Sequence, residues 1–189
     1  MNSTFFQTAR DENPVLYVRS KFNVKCNILS KPIRQFLIYN MDKMDQMSSR
    51  ERSWILIFDA QGFGWGNIDF DFLHFIIKVL RCYMPWSVRY IIVYEIPRIL
   101  ESVWRGIQHV IPEDGKKLLK VCNKKTISEI IDPQNIPLVI GGLSTEVFNE
   151  IPSGCKTAKE LGYDGDAMAK IQKQFEKMMS NDRKLMCKS

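Results

Sequence analysis

Paired cysteines, a histidine cluster, a long apolar run and a secretory leader are all lacking in this chain, and each lack removes a class of protein. The five cysteines, Cys26, Cys82, Cys122, Cys155 and Cys187, are odd in number and widely spaced, with no Cys-x-x-Cys pair. Neither a disulfide framework nor a zinc site is expected from them, and a reducing compartment is the simplest setting. The histidines are His74 and His109 alone. Neither has an evident nucleophile beside it, so acid–base or covalent catalysis has no residues to stand on. No run approaches the ~18 to 20 uninterrupted apolar residues of a spanning helix. Met1 to Asn13 is polar apart from Phe5 and Phe6 and carries no apolar h-region. These lacks predict a non-enzymatic, cytoplasmic chain, soluble or peripheral on membranes, with no metal and no cofactor.

What is present fits one domain with a modest extension. Of 189 residues, 45% are hydrophobic and 25% charged, and a chain of this size buries roughly 70% of its unfolded surface. The net charge of +6 favours an anionic partner. The most informative stretch runs from Ser53 to Pro97. Trp54 to Phe58 is a continuous apolar run, as in a strand covered on both faces, and Gly62, Gly64 and Gly66 form a loop after it. Asn67 or Asp69 can cap the next helix, in which Leu73, Ile76, Ile77 and Leu80 make one stripe and Phe72, Phe75, Val79 and Tyr83 a second. An apolar strand over 88–96 follows, closed by Pro97.

Around this block, Pro14 to Lys25 reads as a strand at the sheet's edge. Ser30, Lys31-Pro32 and the spacing of Ile33, Leu37, Met41 and Met44 predict a helix over 31–47. Ile99, Val103, Trp104 and Ile107 predict another helix up to Val110. Gly115 to Val121 reads as a strand, Lys125 to Ile131 as a short helix, and Leu138 to Gly142 as a last strand. This β-α alternation predicts an α/β fold, a sheet with helices over it. From Ser144 the composition turns polar, as in a linker. Gly165 to Cys187 then permits a helix with Met168, Ile171, Phe175, Met178 and Met179 along one side.

The glycine loop sits where a dinucleotide fold puts its phosphate loop, but its spacing is not Gly-x-Gly-x-x-Gly. Its aromatics Phe63 and Trp65 stand where a backbone would have to approach a pyrophosphate, so the glycines are read as turn chemistry. Asp59, Asp69 and Asp71 are read as end-of-strand and capping residues rather than a hard-cation site. Arg98, Arg105, Lys116, Lys117, Lys120, Lys124 and Lys125 gather around the helix 98–110 and beyond it, a set suited to reversible docking on an anionic membrane at about 1 kcal/mol each. No nucleic-acid motif accompanies them, and nucleic acid is not expected as a partner.

Taken together, Asp59 to Gly62, Tyr83 to Pro85, Ile91 to Pro97, Trp104, and Ile136 to Gly142 resemble the CRAL-TRIO lipid-binding domain of the yeast phosphatidylinositol and phosphatidylcholine transfer protein type. The resemblance covers residues 11–143, with 144–189 left as linker and C-terminal helix. Asn67 to Phe72, Phe75 to Ile77, and Leu16 to Arg19 with Lys21 look closest to the CRAL-TRIO part of motile sperm domain-containing tethers of membrane contact sites. The resemblance implies a mostly parallel sheet flooring an apolar pocket, with the helix 98–109 as a mobile gate. It implies as ligand-binding residues Leu56, Phe58, Leu73, Ile76, Ile91, Val93, Trp104, Ile107, Lys117 and Leu118. Burying an acyl chain of roughly 16 methylenes at ~0.8 kcal/mol each accounts for about 13 kcal/mol, hence a covered cavity and a door.

Departures from the family pattern are specific. Phosphatidylinositol binders place a Glu after Tyr-x-Pro, where this chain has Trp86, and a Lys on the strand after the gate, matched by Lys117. The polar positions used for phosphatidylcholine are Trp54 and Leu56. The usual preceding helical domain, a major sperm protein domain and a membrane anchor are expected to be missing. Two readings stay open: a lipid binder that takes up and transfers a hydrophobic ligand, and a membrane-targeting or protein-interaction module whose pocket is collapsed. Trp54, Trp86 and Phe58 decide between them, according to whether they fill the space beneath helix 98–109.

Overall fold

The computed structural model describes residues 4–23, 25, 27–48, 53–145, 156–157, 159–162, 165–166, 168–173 and 176. Among the described residues, five strands form one sheet in the order of the sequence: β1 (Thr4–Thr8), β2 (Pro14–Arg19), β3 (Trp54–Asp59), β4 (Val88–Tyr94) and β5 (Leu119–Cys122). β1 is antiparallel to β2, and the remaining pairs are parallel. The strand that begins at Pro14 is therefore not the edge. β1 pairs outside it, residue 4 opposite 18 and 8 opposite 14, and β2 is buried nearly throughout.

Parallel neighbours need a crossover, and crossovers are right-handed. Because β2 to β5 advance in one direction across the sheet, α1 (Asn27–Met47), α2 (Phe70–Cys82), α3 (Glu101–Val110) and α4 (Glu113–Leu118) all fall on one face. Leu37, Met41 and Met44 of α1 and Ile76 and Val79 of α2 bury against Leu16, Val18, Trp54 and Leu56 of the sheet. α1 begins at Asn27, ahead of the expected start. Pro32 consequently lies inside the helix, past the first turn, and forfeits the hydrogen bond its N–H would have made there. Asp69 is the cap of α2: its carboxylate accepts the Phe72 N–H at 3.0 Å. Asn67 instead ties the glycine loop to the end of β2, accepting from Gly64 N–H at 2.9 Å and donating to the Lys21 and Asn23 carbonyls.

The opposite face is sealed by residues 123–144. This segment runs through short 3₁₀ turns at Ile127–Glu129, Pro133–Asn135 and Leu138–Ile140. Ile127, Ile131, Ile136 and Ile140 pack on Val15, Tyr17, Ile55, Ile57, Ile92 and Tyr94. Two expectations change here. The stretch from Gly115 opens as α4 before β5 begins at Leu119, and Leu138 to Ile140 is a 3₁₀ turn rather than a strand. Pro137 before it and Gly141, at φ 94°, after it leave no room for an extended run. Gly142 is demanded by close approach, because a Cβ there would stand 2.0 Å from the Ile136 carbonyl oxygen.

Beyond Ser144, helical backbone occurs at residues 166, 168–173 and 176, with Ile171 buried. Phe175, Met178, Met179 and most of the expected linker lie outside the described residues. Among the described residues, no helix is long and apolar enough to cross a membrane.

Candidate ligand-binding cavity

The helical face of the sheet is not filled. Where α1 and α2 cross the sheet they pack directly on it, but α3 arches away and buries none of its residues completely. Between them is a cavity of ≈ 610 Å³, within the range of small-molecule sites. Phe58, Ile91 and Val93 form its floor, Leu73 and Ile76 of α2 one wall, Trp104 and Ile107 of α3 the roof, and Leu118 with Lys117 of α4 the far side. Lys117 belongs to α4 rather than to the strand after the gate, and it is exposed at the rim.

Leu56 does not line the cavity. It shares a strand face with Phe58, but two residues back along β3, about 7 Å, it is sealed in the cluster formed with Leu37, Met41 and Met44. The wall also includes residues the sequence reading did not place there: Val18, Ile77, Leu80 and Val103. Ile77 and Leu80 belong to the α2 stripe and Val103 to the α3 period, so helical spacing could have found them. Val18 was hidden by its strand being taken for the edge.

The deciding aromatics do not fill the space under α3. Trp54 is wholly buried away from the cavity, in the cluster beneath α1 and α2, and its indole N–H has no hydrogen-bond partner among the described residues. Trp86 is at the rim and 91% exposed. Phe58 is part of the floor.

Polar groups are held at the ends of the strands. Arg19 and Asp59, opposite one another in the β2–β3 register, form a buried ion pair at 3.2 Å, and the second carboxylate oxygen accepts the Gln61 N–H at 3.0 Å. Burial pushes the Asp59 carboxyl up, against the pull of the Gln61 N–H and the Arg19 guanidinium. With Asp59 paired and Asp69 capping α2, neither is placed as a ligand. Among the described residues, no group of His, Cys, Asp or Glu could hold a metal ion. His74 and His109 are both exposed.

The junction from β4 into α3 is strained. Glu95 has φ 53°, a region disfavoured for side chains with a Cβ. It is held there by its N–H to the Cys122 carbonyl at 2.9 Å and by its carboxylate, which accepts the Lys124 N–H at 2.8 Å. α3 itself has Gly106 in its middle, with open space around the missing Cβ. A glycine there costs about 1 kcal/mol of helix stability relative to alanine.

The comparison with known proteins agrees with this architecture. A CRAL-TRIO domain-containing protein of Schizosaccharomyces pombe is 22% identical over 139 residues, 72% of this chain and 31% of that protein. The phosphatidylinositol transfer protein CSR1 of Eremothecium gossypii is 23% identical over 159 residues, 82% of this chain and 36% of that one. The chain thus spans about a third of the length of these curated relatives. The crystal structure of Sfh5 superposes with a TM-score of 0.58 at 16% identity, covering 93% of this chain and 64% of that one, and shares the fold. The family model described as CRAL/TRIO domain matches residues 3–142, and with that match over most of its length the chain belongs to the CRAL-TRIO family.

Proposed function

We propose that this chain binds a hydrophobic lipid ligand in the cavity beneath α3, which acts as its gate, and releases or collects it at a membrane surface. The observation that carries this is the ≈ 610 Å³ cavity with an almost wholly apolar wall. In water such a space would be filled by side chains or by a greasy ligand; an apolar wall offers water few partners. The relative named as a phosphatidylinositol transfer protein supports a lipid as that ligand. The lack of fully buried residues in α3, its central Gly106 and the strained Glu95 support movement of this helix over the opening. The proposed role is binding and transport, not catalysis, with a cytoplasmic, peripheral location. The resemblance of Asn67 to Phe72 and Leu16 to Arg19 to motile sperm domain-containing tethers would add a contact-site setting to this reading.

The basic residues are dispersed rather than gathered. Arg98, Arg105 and Lys117 are exposed and Lys117 lines the cavity, whereas Lys120 lies over the Tyr90 ring at 3.6 Å. Membrane docking is accordingly proposed through the cavity side. The alternative, an interaction module with a collapsed pocket, is opposed by the open space itself.

The experiment is native mass spectrometry with lipid extraction on protein expressed in eukaryotic cells, alongside Val103→Trp, which projects an indole into the cavity. The expected result is a co-purifying lipid in the wild type and its loss in a folded Val103→Trp protein. A wild-type chain that purifies clean and takes nothing from liposomes sinks the proposal.

A further inference from the structure

The opening of the cavity carries aromatic side chains that the fold does not use. Trp86 and Phe70, 91% and 62% exposed, both line the cavity and both face solvent. Tyr83, 73% exposed, stands three residues before Trp86 on the same turn. Exposed apolar groups ringing an opening mark a surface that meets something else. The turn that presents Tyr83 and Trp86 is firmly held: Tyr83 N–H donates to Val79 O at 3.0 Å, Ser87 N–H to Met84 O at 3.4 Å, and Trp54 N–H of β3 to Ser87 O at 2.9 Å. Pro85, between the two exposed aromatics, fixes its own φ. Trp86 is therefore displayed on an anchored turn.

The charged residues along the cavity wall are Arg81 and Lys117, balanced by Asp69 and Asp114. Two cations and two anions give the opening no net pull of its own toward an anionic surface, and the aromatic rings must supply the grip. Tryptophan and tyrosine settle at the headgroup level of a bilayer, with the ring in the apolar layer and the polar tip in water. An apolar ligand leaving this cavity crosses water unless the opening already rests on the bilayer.

We infer that Trp86, with Tyr83 and Phe70, is an interfacial anchor that seats the opening of the cavity on a lipid bilayer. This inference rests on the lipid-cavity reading and specifies the face by which the chain meets the membrane.

The test is co-sedimentation of the full chain with phosphatidylcholine vesicles, with and without phosphatidylserine, for wild type, Trp86→Ala, Tyr83→Ala and Trp65→Ala. Trp65 is 60% exposed but lies off the cavity wall, and is the control for general stickiness. The expected result is a fall in vesicle partitioning of roughly tenfold for Trp86→Ala, a smaller fall for Tyr83→Ala and less than about twofold for Trp65→Ala, with only a modest gain from phosphatidylserine. Wild-type binding by Trp86→Ala, or an equal loss in Trp65→Ala, overturns the anchor. Lipid extraction on the same samples separates the two ideas. A chain that carries lipid but binds vesicles without Trp86 sinks the anchor alone. A chain that needs Trp86 for vesicles but never carries lipid sinks the cavity reading.

Discussion

The two faces of the sheet start from similar strand residues and end in opposite states. On one, Tyr17, Ile57 and Ile92 are wholly buried under residues 123–144. On the other, Phe58, Ile91 and Val93 keep some exposure and border a void. The difference lies in what covers them. Irregular chain made of short 3₁₀ turns can drop single isoleucines between strands, one at a time, until the space is full. Helices are stiff rods about 10 Å across, and three right-handed crossovers commit α1 to α4 to one face. α1 and α2 pack on the sheet; α3, with α4 after it, spans what is left. In this fold a cavity is the natural product of covering a sheet with rods, and a solid core the product of covering it with thread.

The largest test of this contrast is Ile57→Ala, on the solid face. With a side chain that is fully enclosed, the lost burial and the new cavity cost about 2–5 kcal/mol in denaturant unfolding. A cost near zero would mean that this face is not solid. Next, Tyr94 joins that face to its cover, donating from its hydroxyl to the Ile140 carbonyl at 2.9 Å. Burial, aided by the charges of Glu95 and Asp59, pushes its phenol up to about 12. The folded state then holds the proton more tightly than the unfolded state. Its contribution is intact below pH ~10 and is lost as pH rises from there to about 12. Melts of wild type and Tyr94→Phe across this range should converge as the pH rises; parallel curves would contradict it.

Gly142→Ala is expected to cost about 1–3 kcal/mol by pushing the cover off the sheet. On the cavity face, Val93→Ala should cost only about 1 kcal/mol, because the void beside it is already there. If Val93→Ala proves as damaging as Ile57→Ala, the contrast between the faces fails.

The sequence made the centre of this fold readable and its margins hard to read. β3, α2 and β4 are long apolar runs with clean punctuation, and Asp69, Pro85 and Pro97 mark their ends. β1 is five residues of Thr, Phe and Gln, too short and too polar to declare itself, and only its pairing removes β2 from the edge. Leu138-Val139-Ile140 has strand-like residues, yet the flanking Pro137 and Gly141 prevail over them. For the site, periodicity sorts residues to a face but says nothing of how far a rod covers that face. This is why Leu56 and Phe58 look alike in sequence and differ in place, and why Val18 went unseen.

The Ile140 carbonyl has a consequence for how the molecule is made. It accepts from Tyr94 across 46 residues and from Gln61 across 79, at 2.9 and 3.3 Å, while Tyr17 reaches the Asn135 carbonyl across 118. Contacts so distant along the chain close late, after their loop entropy has been overcome. A nascent chain therefore carries an assembled but half-naked sheet until residue 140 has left the ribosome. During that interval the isoleucines of the solid face are the part of the molecule most in need of a chaperone.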